Sequence, residues 1–166
     1  MSAGPRPALW ICSTLLLLPR TQAIAQSLRL SLGAGPPGGT AEIEIILHSP
    51  RGKEPAAVQW EASIPAGQLN FADTIASAGG AARAAGKSVN CAAKGESDDS
   101  RTALCILSGG EQPIQDGVIA VLRLAIHTRT HRGSYRVRID HGLAVSKDLR
   151  QTVLNPVETL VVVRAR

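Results

Sequence analysis

Aromatic side chains are scarce in this chain: two Trp, one Tyr and one Phe among 166 residues. Trp10 falls in the N-terminal stretch, and the other three, Trp60, Phe71 and Tyr135, sit in alternating runs whose phase turns them inward. A flat row of exposed aromatics, the platform on which sugar rings or bases stack, is therefore not expected. Cysteine is nearly as sparse, with three residues and no C-x-x-C. No His or Cys lies near the others at ligand spacing, which argues against a thiolate metal site or a redox pair. The four histidines, at 48, 127, 131 and 141, stand beside strand-end or loop residues with no G-x-S-x-G or H-E-x-x-H around them. His127 and His131 are four apart, a spacing that makes one face only on a helix, and this run reads as strand and loop. No nucleophile, base and orienting group come together, so no enzyme is expected, and neither a metal nor a cofactor. A concentrated basic stripe is also missing. Arg136 and Arg138 share a strand face with Arg123, Arg129 and Arg132 nearby, which a solvated sheet surface explains better than nucleic-acid binding.

What is present begins with a leader. Arg6 provides a positive start, Ala8 to Pro19 is an apolar run with four consecutive leucines, and Ala23-Ile24-Ala25 is a small-x-small cleavage site. Residues 1–25 are expected to be a secretory signal peptide, with Gln26 first in the mature chain. The apolar run is too short to span a bilayer and is broken by Pro19 and Arg20, so no membrane span is expected after cleavage. Loss of Arg6 and Arg20 lowers the net charge from +5 by two, leaving a weakly basic domain over 26–166. Cys12 leaves with the leader. Cys91 and Cys105 remain in a chain sent to an oxidising compartment, where they are expected to pair and tie a hairpin across its mouth. Closing a loop of that length stabilises by about 3 kcal/mol in the chain-entropy model. Glu96, Asp98 and Asp99 between them lack the spacing of a calcium loop and read as a solvated turn.

The mature chain alternates throughout. The longest strand-like run is Ile114 to Thr128, opened by Asp116-Gly117, with Ala120, Leu122, Leu124 and Ile126 in one apolar row and Arg123 and His127 opposite. Earlier strands are expected at Ser27 to Leu32, Thr40 to His48 and Ala57 to Ile64. The last turns Val58, Trp60, Ala62 and Ile64 inward and Ala57, Gln59, Glu61 and Ser63 outward. Gln68 to Ala78 reads as a more irregular strand, and Gly79 to Gly86 as a small-residue loop. The cysteine hairpin, Lys87 to Ala93 and Arg101 to Leu107, precedes the long strand. Ser134 to Asp140 then turns Tyr135, Val137 and Ile139 inward, His141 to Asn155 is edge-like, and Val157 to Val163 closes the chain. About nine short strands with Gly/Pro punctuation and no amphipathic helix indicate an all-β sandwich.

The order of these signals resembles a cohesin module. It runs through Gly39-Thr40 ahead of an alternating strand, Val58-x-Trp60, a proline turn followed by Leu69, Asp116-Gly-Val-Ile-Ala120 and Gly133-x-Tyr135. The stretches Ala84-Ala85-Gly86-Lys87 and Cys91 to Cys105 are further similar to small secreted bacterial proteins that carry one such domain. The resemblance spans Ser27 to Val163. It implies a jelly-roll β-sandwich related in fold to certain carbohydrate-binding modules, and a non-catalytic role in binding another secreted or cell-surface protein. In cohesins the outward residues of the third, fifth, sixth and eighth strands grip a dockerin. Carried onto this sequence, that face includes Ala57, Gln59 and Glu61 on the third strand and Arg136 and Arg138 on the eighth. The cellulosomal pattern favours an Asn and Asp pair near the first two of these positions. The alternative implied by the fold is a carbohydrate-binding module that reads a polysaccharide through polar residues.

Overall fold

The computed structural model describes residues 26–164, so the expected signal peptide lies outside the described residues. Eleven strands and one short helix follow in chain order: β1 (Ser27–Leu30), β2 (Gly33–Gly35), β3 (Thr40–His48), β4 (Ala57–Pro65), β5 (Leu69–Ala78), α1 (Gly80–Ala84), β6 (Ser88–Glu96), β7 (Ser100–Ser108), β8 (Gly117–Ile126), β9 (Gly133–Val145), β10 (Gln151–Leu154) and β11 (Val157–Val163). They form a jelly-roll sandwich of two sheets. The smaller sheet has the order β1-β3-β8-β5, the larger β2-β11-β9-β4-β7-β6, with β10 added along β9. Among the described residues no helix is long and apolar enough to cross a membrane.

Side-chain alternation explains which face of each strand is buried. Ile43, Ile45 and Leu47 of β3 and Ala120, Leu122, Leu124 and Ile126 of β8 face Val58, Trp60, Ala62 and Ile64 of β4, Val137 and Ile139 of β9 and Val161 and Val163 of β11 across the core, all at most 3% exposed. Trp60 is fully buried, as its phase predicts. Phe71 and Tyr135 are only partly buried against this core, and the Tyr135 hydroxyl donates to the His131 carbonyl at 2.8 Å. The long strand predicted over Ile114 to Thr128 is β8, an inner strand held between β3 and β5.

Several expectations are corrected. Beyond the strand expected over Ser27 to Leu32, Gly33–Gly35 is not loop, since it pairs in parallel with β11. A Cβ on Gly35 would meet the Thr40 carbonyl oxygen at 2.4 Å, so only glycine lets the chain cross from one sheet to the other this closely. Gly79 to Gly86 is not a loop either, because the alanines between the glycines form α1 against the start of β8. The flanking glycines have other tasks. A Cβ on Gly79 would meet the Val118 carbonyl oxygen at 2.3 Å, and Gly86 ends the helix at φ +69°. The strand predicted over Ser134 to Asp140 runs on to Val145 and turns the expected edge segment into β9 and β10. Cys91 and Cys105 are bonded as direct cross-strand partners, but in the middle of the β6–β7 hairpin rather than at its mouth, which opens at Ser88 and Ser108.

Candidate functional site

The four strands that the resemblance singles out lie side by side in the larger sheet, in the order β9-β4-β7-β6. Their outward side chains are arranged by register. Asn90 on β6 stands opposite Ile106 on β7, Ile106 opposite Gln59 on β4, Gln59 opposite Leu143 on β9, and Leu143 opposite Val153 on β10. One uncharged row therefore crosses five strands. Ile106 is 41% and Val153 78% exposed, which leaves large apolar groups in water along a flat surface. Alternation produces this directly, since Cys105 and Leu107 point into the core and Ile106 between them must point out.

Beyond that row the same face becomes charged. A register shift between Gln59 and Glu61 leaves His141 and Gly142 on β9 as an irregularity opposite β4, and His141 takes φ +47°. Such a bulge re-aims a side chain, here toward Glu61 across the sheet. His141 Nδ1 lies 3.0 Å from Asp140 Oδ1 and 3.3 Å from Glu61 Oε2. The other oxygen of each carboxylate is already held. Lys94 Nζ reaches across β7 to donate to Glu61 Oε1, and Arg138 Nε donates to Asp140 Oδ2 at 2.9 Å. Arg138 also donates to Glu158 Oε1 at 3.1 Å, while Arg136 lies 3.5 Å from the second oxygen of Glu158. The Asp140 hydrogen bond, followed by that to Glu158, raises the Arg138 guanidinium above its usual pKa.

The four predicted face residues therefore divide. Gln59 is half-buried in the uncharged row. Glu61 was expected to point outward into solvent; it does lie on the outer face, but at 9% exposure it is covered by Lys94 and His141. Arg136 and Arg138 are exposed, and both are ion-paired with acids of neighbouring positions. Sequence reasoning missed Asn90, Ile106, Leu143 and Val153, for which strand phase was the available signal. It also missed Lys94, Asp140 and His141, which meet at Glu61 through cross-strand pairing and, for His141, through the bulge. Among the described residues, Glu61, Asp140 and His141 offer one ligand atom each within 4.8 Å of one another, a group able to hold a metal ion.

The other recess of note is a 530 Å³ cleft at one end of the sandwich, lined in part by Lys53, Glu54, Ser146, Asp148, Arg150 and Thr152. There the Ser146 hydroxyl donates to Asp148 Oδ1, and this bond, the strongest influence on that carboxyl, holds its pKa below the usual value. The outer face of the smaller sheet carries Glu42 paired with Arg123 at 3.0 Å and His48 Nδ1 2.6 Å from Asp116 Oδ2.

No family model matches the chain, and no curated protein matches it in sequence. Solved structures do match it in fold. A cohesin of scaffoldin B from Acetivibrio cellulolyticus, in complex with a mutant Cel5 dockerin, superposes with a TM-score of 0.66 at 18% identity over 84% of this chain and 99% of that one. The cohesin module of a Clostridium perfringens family 33 glycoside hydrolase gives 0.63 at 10% identity, covering 86% of this chain and 97% of its own. A non-cellulosomal cohesin from the archaeon Archaeoglobus fulgidus gives 0.61 at 10%, covering 85% and 92%. The jelly-roll expected from the sequence is the fold of these cohesin modules.

Proposed function

We propose that this protein is a secreted, non-catalytic binding module that docks a separate protein, at the cell surface or in the periplasm, on the outer face of β9-β4-β7-β6. The observation that carries this reading is the uncharged row Asn90, Ile106, Gln59, Leu143 and Val153, fringed by the ion-paired cluster around Glu61, Asp140 and Arg138. An apolar centre with a polar rim is the anatomy of a protein interface, and exposed Ile106 and Val153 are its anchors. Neighbours in fold support it, since cohesins from Acetivibrio cellulolyticus and Clostridium thermocellum were solved in complex with dockerins. The Cys91–Cys105 bridge is consistent with an oxidising compartment. The test is capture from the native secretome with wild-type protein, Ile106→Asp and a control on the opposite sheet, Glu44→Ala. A specific protein that is retained by the wild type and the control and lost with Ile106→Asp is the expected result. Failure to recover any specific protein counts heavily against the proposal.

The second reading, a carbohydrate-binding module, is favoured by one observation, the cleft that brings Lys53, Asp148 and Arg150 to its walls. It requires polysaccharide retention that falls on Arg150→Ala and is indifferent to Ile106→Asp.

A further inference from the structure

The cluster around His141 brings three potential metal-ligating atoms together. Each of its two carboxylates has one oxygen anchored to a cation, Glu61 Oε1 to Lys94 and Asp140 Oδ2 to Arg138. The two remaining oxygens, Glu61 Oε2 and Asp140 Oδ1, converge on one imidazole nitrogen, His141 Nδ1. We propose that these three atoms are a binding site for a divalent metal ion of the zinc class.

Spacing is the first reason. Nitrogen and oxygen ligands about 2.0–2.2 Å from a common ion stand roughly 3.0–3.5 Å from each other. The separations from Nδ1 are 3.0 and 3.3 Å. The second reason is orientation. Ligating carboxylates in metal sites are themselves hydrogen-bonded, which fixes the direction of the free oxygen, and Lys94 and Arg138 do this here. The third is access with partial shielding. The Glu61 and Asp140 side chains are 11% and 19% exposed, so they sit below the surface, whereas His141 at 72% leaves an open side for solvent or a further ligand. One imidazole nitrogen with two carboxylate oxygens favours zinc over calcium, which takes oxygen ligands alone. Lys94 and Arg138 offset the charge of the two carboxylates, so affinity is set by the imidazole and the geometry rather than by net charge. Its three ligand atoms come from β4 and β9, with Lys94 of β6 orienting Glu61, and it does not depend on the docking proposed for the same face.

Calorimetric titration of the purified protein with ZnCl2 tests it, alongside His141→Asn, Asp140→Asn and His48→Asn. Asparagine tolerates the left-handed backbone at position 141 and removes the nitrogen ligand. His48 with Asp116 is a two-donor pair on the opposite sheet and serves as the internal control. Expected are one zinc ion per chain, affinity lowered tenfold or more in both His141→Asn and Asp140→Asn, no change in His48→Asn, and no displacement by excess CaCl2. Wild-type affinity equal to that of His141→Asn, loss of binding in His48→Asn, or displacement by calcium would each overturn the assignment. Should a variant fail to fold, the imidazole NMR signals of the wild type decide: zinc must shift those of His141 and leave those of His48 in place.

Discussion

Two lysines seven positions apart along one edge strand are used in opposite ways. Lys87, just ahead of β6, is 6% exposed and donates through Nζ to the carbonyls of Gly109 and Gly110, the latter at 2.9 Å. Lys94, near the other end of β6, has a side chain 52% exposed and donates to one oxygen of Glu61. Among the described residues the first charge forms no ion pair and is spent on two backbone acceptors of a tight loop. There Gly109 and Gly110 have φ +97° and +52°, and a Cβ on Gly110 would meet the Ala85 carbonyl oxygen at 2.4 Å. The second fixes one oxygen of a carboxylate and leaves the other free to meet His141. The buried cation holds backbone carbonyls in place, whereas the exposed one holds one oxygen of a carboxylate on the outer face of the sheet.

The largest effect that bears on this comparison comes from the bridge between the two lysines. Replacing Cys91 and Cys105 with Ala removes the covalent tie that keeps β6 on β7 and should cost about 3 kcal/mol in the chain-entropy model, read from urea unfolding. Hydrogen exchange should accelerate first in β6, and a uniform increase across both sheets would show that β6 is not the separately stabilised edge assumed here. Lys87→Met keeps the apolar stem and deletes the donor, leaving the Gly109 and Gly110 carbonyls short of a partner. A loss of roughly 2–3 kcal/mol is expected. Lys94→Met breaks a pair whose lysine is half exposed and leaves Glu61 its contact with His141, so it should cost less, about 1 kcal/mol. If the two lysine variants cost the same in parallel urea titrations, the distinction between a structural and a surface lysine fails. Lys94→Met has a second expected consequence, since it frees Glu61 Oε1 and should loosen the carboxylate facing His141. Capture of a partner through Ile106 should survive it with only a modest change, because the uncharged row keeps its register.

Much of this fold is legible from strand phase alone. Trp60, Ala120, Leu122 and Leu124 are fully buried where alternation put them, and Cys91 and Cys105 are paired. The missed pieces have local causes. Glycine at 35 and 79 signals a break in the sequence, yet here it permits backbones to approach more closely than a Cβ allows, at the end of β2 and where α1 lies against β8. The site was harder. Arg136 and Arg138 are outward as their positions require, and Asp140 follows on the same face of β9, but Glu158 comes from β11, and pairing across strands cannot be read from one strand. His141 falls in a segment that reads as an edge, and only the bulge turns it toward Glu61, whose regular cross-strand partner is Asp140. Ile106 needed no tertiary knowledge, because its neighbours in the hairpin assign it to the outer face.

The smallest effect follows from the burial of Lys87. Burial, with a lesser contribution from the nearby charge of Lys147, lowers the Lys87 pKa from 10.5. In the window between that lowered value and 10.5 the unfolded chain carries more protons than the folded one, so stability rises with pH there. Below the folded pKa the desolvation cost is present in full; above 10.5 it is gone. The neutral amine can still donate to Gly109 and Gly110, so relief of the charge does not sacrifice the bonds. Urea midpoints measured at rising alkaline pH should therefore climb for wild type relative to Lys87→Met. A wild-type midpoint that falls relative to the variant over the same range would mean that the ammonium charge itself, rather than the donor, holds the loop, and that Lys87 resembles Lys94 more than its burial implies.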